Sequence, residues 1–104
     1  MTTRKSKGSL AFEEEILGGP LTFGMAVEAL RVRDGLTQTA FAKKLKISRQ
    51  YLCDVEKGRR AVSPGQAARF ARAFGHPPEV LVRLALQDAV RLDGLKLTVT
   101  IEAA

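Results

Sequence analysis

The stretch TQTAFAKKLKISRQYLCDVEKGRR, Thr37 to Arg60, constrains the fold more than any other part of the chain. Thr37 is an N-cap residue for a helix in which Phe41, Ala42 and Leu45 recur at three- and four-residue spacing, the period that gathers them on one face. Lys46 and Ile47 form a corner. Ser48 caps a second helix from Arg49 to about Lys57, with Leu52 and Val55 facing inward and Gly58 placed to end it in a left-handed conformation. The stretch predicts two short helices joined by a tight connection.

Once the core positions are assigned to packing, a distinct chemistry is left on the outside. Arg49, Gln50, Tyr51 and Asp54 face outward, as does Gln38 just past the first cap. Arg offers a two-pronged fork for guanine and Gln one for adenine, and both stand in the first turn of the second helix, where a helix entering the major groove meets base edges. The pattern T-Q-x-x-F-A-x-x-L-x-I-S-x-x-x-L-x-x-x-E-x-G-x-R resembles the helix-turn-helix of the phage-repressor family, the Cro/CI-like or XRE class. That resemblance implies an all-α, five-helix lambda-repressor-like DNA-binding domain. It also implies that Arg31 pairs with Glu56 as a structural brace, and that the loop carrying Arg59 and Arg60 lies against the DNA backbone.

Composition agrees with such a partner. Between Arg31 and Arg72 there are eleven Lys and Arg against three acidic residues, Asp34, Asp54 and Glu56. A surplus of that sign is the footprint of a phosphate-binding surface. A chain of 104 residues suits one small domain. One cysteine allows no internal disulfide, the opening MTTRKSKGS has no apolar run behind its charges, and no stretch approaches the length of a membrane span. These features predict a cytoplasmic protein.

Along the chain, residues 1–20 read as an N-terminal arm, disordered over its first nine residues, where Arg4, Lys5 and Lys7 stand among small polar neighbours. Leu10 to Leu17 sets apolar residues around Glu13, Glu14 and Glu15, and suits docking on this chain's own core or on a partner's. Residues 21–93 form the DNA-binding domain. Thr22 caps its first helix, with Phe23, Val27, Leu30 and Arg31 at helical spacing, and Asp34-Gly35 closes it. Ser63-Pro64-Gly65-Gln66 combines a capping box with Pro at the first helical position, opening a helix whose buried stripe is Ala67, Phe70, Ala71 and Phe74. His76-Pro77-Pro78 starts the last helix, whose apolar arc is wide enough to be buried on two sides, within the monomer or at a dimer interface. After Asp93-Gly94 the period changes. Leu95, Leu97, Val99 and Ile101 alternate with polar residues, predicting a C-terminal β-strand over 94–104 that serves as a dimer or partner interface.

The leading expectation is a homodimeric transcriptional repressor on double-stranded DNA. Thr37, Gln38, Lys43, Arg59 and Arg60 position it on phosphates, while Arg49, Gln50 and Asp54, with Tyr51 beside them, read bases. Asp54 departs from the neutral polar residue frequent at that place in the family; it is suited to accepting from cytosine N4 or to repelling phosphate. The alternative is an antitoxin of a toxin–antitoxin pair, in which a terminal segment masks a toxin while the same head regulates its own operon. An enzyme is not expected: His76 has no second ligand near it in sequence, Cys53 lacks an activating neighbour, and no metal-spaced cluster or phosphate-binding glycine loop occurs. No cofactor and no metal are expected.

Overall fold

The computed structural model describes residues 20–104, and the Leu10 to Leu17 segment, with the rest of 1–19, lies outside the described residues. Five helices follow in order: α1 (Phe23–Arg33), α2 (Gln38–Leu45), α3 (Arg49–Glu56), α4 (Pro64–Ala73) and α5 (Pro78–Leu92). Four of them begin on a hydroxyl that accepts from the amide three residues on: Thr22 from Met25 at 3.1 Å, Thr37 from Ala40 at 3.0 Å, Ser48 from Tyr51 at 3.0 Å and Ser63 from Gln66 at 3.1 Å. Each such bond satisfies an amide that the helix itself cannot, and is worth about 1 kcal/mol. α5 has no side-chain cap and starts instead on Pro78, whose fixed φ suits the first helical position.

The α2–α3 corner is a left-handed residue that is not glycine. Lys46 sits at φ 59°, and the amides of Lys46 and Ile47 turn back onto the carbonyls of Lys43 and Ala42. The chain thereby reverses within two residues, and Ile47 packs on the core.

Four phenylalanines organise the interior. Phe41 stacks on Phe74 with ring centroids 4.4 Å apart, and Phe70 meets Phe41 and Phe23 edge-on at 6.0 and 5.5 Å. These geometries suit the ring quadrupoles and join α1, α2 and α4. Leu52 and Val55 of α3 and Leu81, Leu84 and Ala85 of α5 close the core around them. Polar ties reinforce the junction of α2 with α4: Lys44 Nζ donates to the Ala73 carbonyl at 2.8 Å, and Arg69 Nη2 to the Leu45 carbonyl at 2.8 Å. Each cation thus meets the carbonyl end of a neighbouring helix, where the helix dipole favours it.

The expected C-terminal strand is not formed. Among the described residues there is no strand, and the fold is all-helical. The last segment is held by a side chain: Gln87, 4% exposed on α5, donates through Nε2 to the Leu97 carbonyl and accepts the Val99 amide on Oε1, both at 2.8 Å. One carboxamide copies a single backbone peptide, one donor and one acceptor flanking Thr98. It cannot extend into a ladder, so alternation over 95–101 yields a clipped segment rather than a sheet. The alternating residues also fail to share an environment, since Leu95 and Leu97 are exposed while Val99 and Ile101 are half-buried.

Candidate nucleic-acid interface

α3 can present side chains reproducibly only if its own position is fixed, and one buried carboxylate fixes it. Glu56, at the end of α3, has a side chain only 2% exposed. It takes three donors: Arg31 Nε on Oε2 at 2.7 Å, Arg31 Nη2 on Oε1 at 3.1 Å, and Gln38 Nε2 on Oε1 at 2.9 Å. Arg31 Nη1 goes on to the Leu36 carbonyl at 2.8 Å. The fork of Arg31 therefore links α1, α3 and the α1–α2 turn, and Gln38 adds the first residue of α2. Its hydrogen bond to Glu56, opposed by burial, pushes the Arg31 guanidinium up from an already high value. A base raised in the folded state stabilises at every pH below its unfolded value, so Arg31 confers no pH dependence near neutrality.

The same end of α3 is pressed against α1. A Cβ placed on Gly24 would stand 2.3 Å from the Val55 carbonyl oxygen and 2.6 Å from that of Glu56. Only glycine permits this approach. Nothing in the periodicity of α1 singles out Gly24, because its role lies in a contact with a helix some thirty residues away. Gln38, expected among the residues that position the head on phosphates, instead turns its amide back to Glu56, and its place one residue past a cap gives no sign of that.

With the C-terminal end of α3 anchored, its N-terminal turn carries Arg49 and Gln50 in solvent, and Tyr51 and Asp54 are half-buried. Two linked groups form there. Asp54 Oδ1 accepts Gln50 Nε2 at 3.0 Å and lies 3.6 Å from Arg59 Nη1. The Arg60 guanidinium lies 4.9 Å from the centre of the Tyr51 ring, a cation–π contact that aligns the loop side chain with the helix. Thr37 spends its hydroxyl on capping α2, and Lys43 stands exposed on α2 without a tie to either group. The structure thus brings Gln50, Asp54 and Arg59 together, and Tyr51 with Arg60. Arg49 stands beside them unlinked. Cys53 is half-buried in α3 and His76 occupies the α4–α5 turn.

An anchored helix with a polar, cationic first turn, flanked by a loop with two arginines and by the free amides opening α2, is arranged to meet a polyanion and to present donors beyond it. A family model for the helix-turn-helix domain matches residues 22–84, from the cap of α1 to the middle of α5. No curated protein matches the chain closely enough to stand as a relative.

Proposed function

Because the chain belongs to the helix-turn-helix family of the Cro/CI (XRE) type, a class of DNA-binding transcriptional regulators, we propose that it acts as a homodimeric repressor of its own or a neighbouring promoter. In this reading α3 enters the major groove of each half of a two-fold site, the two centres lying about 34 Å apart. Arg49 and Gln50 specify bases. Arg59, Arg60, Lys43, Thr37 and the opening amides of α2 position the head on phosphates. The observation that carries the proposal is the anchoring of the C-terminal end of α3 by Glu56, while the first turn of the same helix exposes Arg49 and Gln50. Repression then follows from covering promoter DNA, in the cytoplasm, without catalysis, cofactor or metal.

The division of labour has a direct test. Arg49→Ala removes a base contact and weakens the cognate site by about 1–3 kcal/mol while leaving random DNA unaffected. Arg59→Ala weakens all duplexes alike and lowers the salt slope by about one. Equal losses on cognate and random DNA for both variants would overturn the assignment.

A second reading is favoured by one feature. Leu92, Leu95 and Leu97, at the end of α5 and just beyond it, are 75, 50 and 62% exposed. Apolar side chains clustered in sequence and left in water suit a protein partner, either a second copy or a toxin whose antitoxin this chain is. Co-expression with the product of an adjacent gene separates the two: an antitoxin co-purifies with it in a defined ratio, and a plain repressor purifies as a dimer alone.

A further inference from the structure

We infer that Asp54 is a positioning residue rather than a base reader, and that its carboxylate holds the amide of Gln50 in the orientation that selects adenine over guanine. The inference rests on the DNA-binding reading above and adds the base. Gln50 and Asp54 stand four residues apart on one face of α3, and Gln50 Nε2 donates to Asp54 Oδ1 at 3.0 Å. A carboxylate only accepts, so only the nitrogen end of the Gln50 amide can turn toward it. An unrestrained glutamine presents either end to a base edge. This one keeps its oxygen and its second N–H for the groove.

Adenine shows the major groove an acceptor at N7 beside a donor at N6, the complement of an amide N–H beside its C=O. Guanine shows acceptors at both N7 and O6, and would set O6 against the Gln50 oxygen. With both amide hydrogens free, that conflict is relieved by directing the NH2 group between N7 and O6, one hydrogen to each, while the oxygen swings clear. With Asp54 holding one of the two hydrogens, a single N–H is left for the base: enough for adenine N7, with the oxygen accepting from N6, and too few for both acceptors of guanine. Asp54 is itself paired with Arg59, whose Nη1 lies 3.6 Å from the same Oδ1 and draws the carboxylate toward the loop after α3. One oxygen of Asp54 thus accepts from Gln50 and stands in ion-pair range of Arg59, and the fixed amide of Gln50, not Asp54, meets the base.

The test is enrichment from a random DNA pool, followed by binding titrations, with the full chain as wild type, Asp54→Asn, Asp54→Ser and Gln50→Ala. The wild type is expected to enrich one adenine per half-site and to bind it about tenfold more tightly than a guanine substitution there. Gln50→Ala abolishes that preference. Asp54→Asn, which keeps the shape but can face the amide with either end, and Asp54→Ser, which removes the charge, reduce it to within about twofold while the melting temperature and the preferences elsewhere in the site persist. The inference is overturned if both Asp54 variants keep the full adenine preference. It is also overturned if they lose a cytosine at a position that Gln50→Ala leaves unchanged, for then Asp54 reads a base directly. A wild type that enriches no sequence removes the DNA-binding reading itself, an outcome distinct from either.

Discussion

Replacing Glu56 with alanine should be among the most damaging single changes available to this chain. The carboxylate takes two donors from Arg31 and one from Gln38, and both members of the ion pair are largely buried, with side chains 2% and 11% exposed. Removing one partner of a buried pair costs about 3–5 kcal/mol, because the other is left as an uncompensated charge. Arg31 keeps its bond to the Leu36 carbonyl, which places the loss near the lower end, about 3 kcal/mol. For a domain of this size that lowers Tm by roughly 12–24 °C. Arg31→Met leaves Glu56 with Gln38 alone and should cost a similar amount. The double variant Arg31→Met/Glu56→Met removes both charges, and should be more stable than either single variant. Urea unfolding of the wild type, Arg31→Met, Glu56→Met and the double variant gives the coupling energy, expected to be at least about 2 kcal/mol. A coupling within about 0.5 kcal/mol of zero, or a loss below about 1 kcal/mol for Glu56→Ala, would refute the view that this pair anchors α3.

Three further outcomes follow from other contacts. Gly24→Ala puts a methyl group against the backbone oxygens of Val55 and Glu56, so it should cost about 1–3 kcal/mol in thermal unfolding and weaken DNA binding through the displaced α3; an unchanged Tm would contradict the close approach. Gln87→Ala should expose the Val99 amide to rapid hydrogen exchange while leaving α2 and α3 protected, and a Val99 amide that stays protected would show that another group holds the tail. Burial pushes the Asp88 carboxyl up from its ordinary 3.8, although the Phe23 amide that it accepts at 3.0 Å and the nearby Arg91 pull it down. The folded state therefore binds the proton more tightly than the unfolded one, and this group's contribution to stability declines as pH rises from 3.8 through the raised value. Asp88→Asn keeps an acceptor for Phe23 without the charge. Its Tm should exceed that of the wild type at neutral pH, with the advantage vanishing as pH falls below 3.8, and a pH-independent difference would contradict the cause given.

What was legible in the sequence is what depends on neighbours a few residues away. Thr22, Thr37, Ser48 and Ser63 cap helices because the hydroxyl and the amide it meets are three residues apart, and Phe41, Phe70 and Phe74 enter the core because helical spacing places them on apolar faces. The corner at Lys46-Ile47 and the left-handed Gly58 were legible, but the left-handed backbone of Lys46 was not, because Lys is not a residue that favours it. The tail fails in an instructive way. Alternation from Leu95 to Ile101 is a local signal, whereas a strand requires a partner backbone, and the group that meets this segment is the Gln87 side chain of a helix. Gly24 carries no periodic or compositional mark, and Gln38 was expected to face phosphate rather than Glu56, for a related reason: each acts on the end of α3, a contact that spacing does not reveal. Within the candidate interface, the exposure of Arg49 and Gln50 could be expected from their place after Ser48, but the linkage of Gln50 to Asp54 and of Tyr51 to Arg60 depends on side-chain rotamers and on the path of the loop, which spacing does not fix.

The central claim is that α3 reads sequence from the major groove. It is tested most directly by titrating the full chain with duplex DNA from the region upstream of its own gene, and with a scrambled duplex of the same composition, at two salt concentrations. The account predicts that the upstream duplex binds at least about a thousandfold more tightly, that both affinities fall as salt rises, and that Arg49→Ala narrows the gap between them. Equal affinity for the two duplexes at both salt concentrations, unchanged by Arg49→Ala, would mean that the basic surface binds phosphate without reading bases, and would contradict the account.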